Sequence, residues 1–133
     1  MNNNHVVGEV RAIVMDALGV DEAEVELKTR LIDELDAESL DFLDIVFRLE
    51  RSFGIKIPRG EIERKSRGGL TDGEFEVEGM VTSKGLEALQ HTMPEVDPIY
   101  FKDGLAMKDI PRLFTVETLY NIVLEKLDGE GRL

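Results

Sequence analysis

The chain has no cysteine and no tryptophan among its 133 residues, only two histidines, and an aromatic fraction of 6%. Without cysteine there is no disulfide framework, no thiolate metal site and no thiol chemistry intrinsic to the chain. Sparse aromatics argue against a stacking platform for single-stranded nucleic acid. Basic residues are also short: 16 Lys and Arg stand against 28 Asp and Glu, a formal charge of −12. A field of that sign repels nucleic-acid phosphates and anionic membrane surfaces, and attracts proteins with basic patches. No run approaches the roughly 18 apolar residues that a membrane-spanning helix needs. The start, Met1-Asn2-Asn3-Asn4-His5, lacks the basic flank and apolar stretch of a signal peptide. A cytoplasmic, monomeric protein that does not insert in membranes is the expectation.

What the chain does have is helical periodicity toward both ends. Val6, Val10, Ile13, Val14, Ala17 and Leu18 recur on one helix face, the Asn run offers N-caps, and Gly19 offers a C-cap. A second helix is predicted from Ser39. Its buried stripe is read as Leu43, Val46, Phe47, Leu49 and Phe53, and its wet face as Asp41, Asp44, Arg48 and Arg51. Gly54 caps that helix and Pro58 forbids its continuation. A last helix runs from about Val116 to Leu127, with Thr115 as N-cap and Phe114 and Leu119 placed for a hydrophobic staple. Between the first two helices, Val20 to Glu38 is acidic and irregular. It reads as a long loop pinned to a core by Val25, Leu27, Leu31, Ile32 and Leu35.

Residues 59–112 break this pattern. Gly68-Gly69 and Asp72-Gly73 are turn signals, and Phe75, Val77 and Val81 alternating with glutamates suggest one short strand. Thr82 or Ser83 is placed to cap a helix through Leu86, Leu89 and His91, and Pro94 and Pro98 mark a loop. Leu70, Phe75, Met80, Leu86, Leu89, Ile99, Tyr100, Phe101 and Leu105 are too many apolar groups for a free linker, so the segment is expected to fold. The organisation expected is a mainly α, helical-bundle domain from residues 1–58 and 113–133, with 59–112 as an inserted small subdomain of unassigned fold.

The residues at the start of the second helix carry the functional reading. The run Asp36-Ala37-Glu38-Ser39-Leu40-Asp41-Phe42-Leu43-Asp44-Ile45-Val46, followed by Phe53-Gly54-Ile55-Lys56-Ile57-Pro58, resembles the acyl carrier protein family. The likeness covers roughly residues 4–58 and 113–128. In that family the motif is Asp-Ser-Leu; here Glu38 replaces the Asp, and Asp36 stands where Gly is usual. The stretch Ser39 to Ile45 is most similar to specialised carriers that deliver very long acyl chains to lipid A. The resemblance implies that Ser39 carries 4′-phosphopantetheine, attached by a phosphopantetheinyl transferase using Mg²⁺ and coenzyme A. It implies a carrier and not an enzyme, with no catalytic residue and no metal site, holding fatty-acyl intermediates as thioesters in fatty acid or lipid biosynthesis. It implies partner docking through Asp36, Glu38, Leu40, Asp41 and Asp44, and an acyl pocket walled by Val46 and Phe47. Ketosynthases or acyltransferases would be the visiting enzymes. Phe42 stands where ordinary carriers are polar, and is expected to pack under the insert.

Physical chemistry supports the same site. An anionic phosphodiester on Ser39 would lie at a helix N-terminus, where unpaired N–H groups and the macrodipole favour it. The surrounding acids oppose it locally but suit weak, steered docking to basic enzymes, which a carrier must leave after each step. The absent cysteine means that no second thiol competes for the acyl group.

Other readings stay open. Ser39 is equally placed to be an N-cap, although a full capping box would want Glu or Gln where Phe42 stands. The acids Asp33 to Asp44 are read by default as a solvated face, and their spacing fails the calcium-loop pattern, with Leu35 and Glu38 at the third and sixth positions from Asp33. No Gly-x-Ser-x-Gly elbow supports a Ser39–His91 triad. Arg59, Arg64, Lys65 and Arg67 form a basic cluster read as solvated or as a second docking surface. A polyketide or peptidyl carrier, and an unmodified acidic protein-interaction module, are the alternative functions.

Overall fold

The computed structural model describes residues 2–58 and 60–133. The elements are α1 (Asn3–Leu18), α2 (Ser39–Phe53), α3 (Glu61–Ser66), α4 (Asp72–Phe75), β1 (Glu76–Val77), β2 (Met80–Val81), α5 (Ser83–Thr92) and α6 (Val116–Gly129), with short 3₁₀ turns at Glu22–Glu24, Pro98–Tyr100 and Met107–Leu113. The chain divides into two compact units, Met1–Ile57 with Phe114–Leu133, and Pro58–Leu113. None of the described helices is long and apolar enough to cross a membrane.

The first unit is a bundle in which α1 packs on both α2 and α6. Asn2 caps α1 by accepting the His5 N–H at 2.8 Å, and Gly19 ends it with φ +66, which glycine adopts without a steric penalty. Val6, Val10 and Val14 from α1, Ile45 and Leu49 from α2, and Val116, Val123 and Leu127 from α6 are fully buried. Thr115 caps α6 through the Thr118 N–H at 3.1 Å, and Phe114 and Leu119 are both buried. The long loop is pinned as expected, with Val25, Leu31 and Leu35 buried. Its backbone is tied as well. Leu31 N–H donates to Phe114 O at 3.0 Å, Val116 N–H to Thr29 O at 3.0 Å and Glu117 N–H to Leu27 O at 2.9 Å. Arg11 crosses from α1 to donate to Val25 O at 2.7 Å. The ring that Phe42 meets is Phe114, in the same unit, at 5.9 Å between centroids.

The second unit is folded around Phe75, Val81, Leu86, Leu89, Met93, Val96, Phe101, Ile110 and Leu113, all buried. The single strand expected here is a two-stranded antiparallel hairpin, with Glu76 opposite Val81 and Val77 opposite Met80. Glu78 and Gly79 make its two-residue turn with φ +51 and +81, and Phe75 belongs to α4 and not to the strand. Asp72-Gly73, expected as a turn, opens α4 because Thr71 caps it and Glu74 reaches back to the Thr71 N–H at 3.0 Å. Thr82 caps α5 through the Gly85 N–H at 3.0 Å. In the basic cluster, Arg67 pairs with Asp72 and lies over the Phe75 ring, Lys65 faces Glu61 at 3.9 Å, and Arg64 is exposed. Arg59 lies outside the described residues.

Candidate functional site

The start of α2 is set by residues on either side of Ser39. Glu38 is the N-cap, with extended φ −104 and ψ 172, and Ser39 is the first helical residue. The Asp41 carboxylate Oδ2 accepts the Glu38 N–H at 2.8 Å, and the Phe42 N–H donates to Glu38 O at 3.1 Å. Ser39 is therefore not the cap. Its side chain is exposed, and its hydroxyl has no hydrogen-bond partner among the described residues. The capping alternative raised by the sequence is overturned, because the helix begins one residue too early for it.

The acids expected around Ser39 divide into different roles. Asp36 and Glu38 are exposed. Asp36 holds φ +58, a left-handed conformation that glycine adopts without the steric penalty a side chain incurs. Asp41 is half-buried and engaged with the backbone. Asp44 pairs with Arg48 Nε at 3.0 Å, one turn further along the helix. Among the described residues, no group of three or more Asp, Glu or His is arranged to hold a metal ion.

The apolar face of α2 differs from the expected stripe. Ile45, Leu49 and Phe53 are buried, whereas Leu43 is 51% and Phe47 56% exposed. Leu40 is 76% exposed. Leu40, Leu43 and Phe47 fall at i, i+3 and i+7, so they share one outward face about 10 Å long. The Arg51 guanidinium lies over the Phe47 ring, 5.6 Å from its centroid. Phe47 is thus not part of the buried stripe, and Val46 is half-buried. The cause is an excess of apolar residues: positions 40, 42, 43, 45, 46, 47 and 49 are all apolar, so two faces of the helix satisfy the same periodicity. His91 belongs to the second unit and Ser39 to the first.

Comparison with known proteins matches these same elements. A family model described as "Phosphopantetheine attachment site" matches residues 8–70. An acyl carrier protein of Thermotoga maritima is 37% identical over 68 residues, which cover 51% of this chain and 84% of that protein. One from Rubrobacter xylanophilus is 36% identical over 64 residues, 48% of this chain and 79% of that protein. One from Clostridium acetobutylicum is 38% identical over 64 residues, 48% of this chain and 83% of that protein.

The residues at the start of α2 fit the group that the family model names. An attachment point must be a hydroxyl open to an enzyme and free of internal bonds, and Ser39 meets both conditions. A phosphate there would also meet the first-turn N–H groups of a 15-residue helix.

Proposed function

Because the chain belongs to the acyl carrier protein family, we propose that it carries fatty-acyl intermediates as thioesters on a 4′-phosphopantetheine arm attached to Ser39, in fatty acid or lipid biosynthesis. Members of the family are carriers that hold this prosthetic group covalently and act through other enzymes. The arm supplies a thiol, which a chain without cysteine lacks. The observation that carries the assignment to Ser39 is its exposed, uncommitted hydroxyl at the start of α2, inside the segment that the family model matches and beside the exposed Leu40, Leu43 and Phe47.

The chain's own residues do three things in this reading. Ser39 presents its Oγ to a phosphopantetheinyl transferase, which uses coenzyme A and Mg²⁺ for the transfer. Asp36, Glu38, Asp41 and Asp44 give the surface a sign that steers basic partners toward the serine, and fast release follows from the modest strength of such exposed contacts. Leu40 adds an apolar contact beside the serine. Val46 is proposed to border the acyl refuge from its half-buried position, while Phe47 joins Leu40 and Leu43 on the outward row. Ketosynthases or acyltransferases are the proposed visitors after loading.

Mass spectrometry of the protein incubated with coenzyme A and a broad-specificity transferase tests the proposal. Wild type is expected to gain one phosphopantetheine, and Ser39→Ala none. No gain on wild type would favour an unmodified acidic interaction module, and an equal gain on both proteins would move the attachment point elsewhere. Acyl species found on the protein from its native cell distinguish fatty cargo from polyketide or peptidyl cargo.

A further inference from the structure

We propose that Asp41 is a positioning residue for Ser39: by holding the Glu38 N–H it fixes where α2 begins, and so keeps the serine hydroxyl out of the capping role and open to an incoming enzyme. The inference rests on Ser39 being the modified residue.

A helix needs partners for its first N–H groups, and side chains compete to supply them. Serine is among the strongest N-caps and glutamate is not. Residue preference alone would therefore start this helix one position later, with Ser39 in extended conformation and its Oγ accepting the N–H of Asp41 or Phe42. That oxygen would then be occupied and turned onto the helix end. The structure has the other arrangement. Glu38 is the cap residue and the Asp41 carboxylate reaches back to its N–H at 2.8 Å, while the Phe42 N–H closes the first turn on Glu38 O at 3.1 Å. Asp41 is third in the helix only when Glu38 is the cap; with Ser39 as cap the third position would be Phe42, which has no acceptor. The carboxylate therefore selects one start over the other. Its burial agrees: Asp41 is half-buried, whereas Asp36 and Glu38 are exposed. Asp44 has the same charge on the same helix but is paired with Arg48, away from the start, and serves as a control.

The test separates the acceptor from the charge. Loading by one broad-specificity transferase with coenzyme A is measured for wild type, Asp41→Ala, Asp41→Asn and Asp44→Asn. Asn keeps an acceptor oxygen of the same shape and loses the charge. Loss of a cap corresponds to about a tenfold change in the helix-start equilibrium. Because wild type already favours this start, Asp41→Ala is expected to lower kcat/KM severalfold, by less than that factor, with Asp41→Asn restored close to wild type and no worse than Asp44→Asn. If Asp41→Asn falls as far as Asp41→Ala, loss of the charge alone accounts for the effect and the helix-start proposal is overturned. The Ser39 carbon chemical shifts give an independent readout. They are expected to be helical in wild type and Asp41→Asn and to move toward extended values in Asp41→Ala; unchanged shifts in Asp41→Ala overturn the proposal as well. Should Ser39→Ala still gain mass, the attachment reading fails separately, and the shifts alone decide whether Asp41 sets the helix start.

Discussion

Two of the described helices open on an exposed serine. Ser39 is the first residue of α2 and Ser83 the first of α5, each preceded by an extended cap residue. The caps are built differently. At α5 the cap side chain does the work, Thr82 Oγ1 accepting the Gly85 N–H at 3.0 Å. At α2 the third helical residue does it, Asp41 reaching back to the Glu38 N–H. The second helical residues differ too: Leu40 is an apolar side chain left 76% exposed, while Lys84 is an exposed cation facing Glu74 at 3.9 Å. Only α2 continues into an exposed apolar row, with acids beside the serine. An open hydroxyl at a helix start is thus common to both; what marks α2 is the surface around it.

The sharpest way to break that comparison is to mutate both serines. Ser39→Ala is expected to abolish phosphopantetheine gain, and Ser83→Ala to leave its rate unchanged, as read by intact-mass kinetics. Equal loss at both would mean that exposure alone governs modification and that the row of Leu40, Leu43 and Phe47 is incidental.

The third helical position gives the next largest effect. In α5 it is Gly85, where an added Cβ would come within 2.5 Å of Phe75 O and 2.7 Å of a Val81 methyl. The Phe75 carbonyl is not free to move, because it accepts the Thr82 N–H at 2.9 Å. Gly85→Ala is therefore expected to destabilise α5 by about 1–3 kcal/mol, as overpacking does. Hydrogen exchange at the amides of Leu86 and Leu89 reports it. Protection unchanged from wild type would mean that the helix start shifts freely, unlike its counterpart in α2.

Much of the first unit was legible in the sequence. Helix α1, the caps Gly19, Gly54 and Thr115, and the pinned loop follow from apolar spacing and capping chemistry that are local in the chain. The face that α2 buries was not legible, because Ile45 and Phe47 are equally apolar and only the position of α1 decides between them. The cap at Glu38 was hidden for a different reason: a reach-back bond from an acid is a weaker sequence signal than a serine in front of a helix. In the second unit, α3 and α4 are too short to show a period, and the hairpin strands have two residues each, so neither rule of periodicity had enough chain to act on.

Smaller effects come from the backbone just before each of the two serines. Asp36, three residues before Ser39, holds φ +58, and Glu78, five before Ser83, holds φ +51 in the hairpin turn. Both are left-handed conformations that a side chain strains. Asp36→Gly and Glu78→Asn, the latter giving Asn-Gly in a turn with two positive φ values, are each expected to raise stability by about 0.5–1 kcal/mol. Denaturant midpoints measure this. A loss on Asp36→Gly, with a gain on Glu78→Asn, would mean that the Asp36 side chain makes a contribution that outweighs its backbone strain.

The smallest effect lies in another reach-back cap, at α4. The Thr71 N–H donates to the Glu74 carboxylate at 3.0 Å, and that bond, aided by the Thr71 side chain, holds the Glu74 pKa below its ordinary value of 4.5. A depressed carboxylate contributes stability that is complete above its unfolded pKa and disappears as pH falls through the folded one. Glu74 is exposed, so the contribution is slight. Replacing Glu74 by Gln removes the titration while keeping an acceptor. The stability difference between wild type and Glu74→Gln is then expected to favour wild type most at neutral pH and to shrink below about pH 4.5. Parallel stability curves through that window would show that the acid at α4, unlike the one proposed to set the start of α2, does not hold its backbone bond in solution.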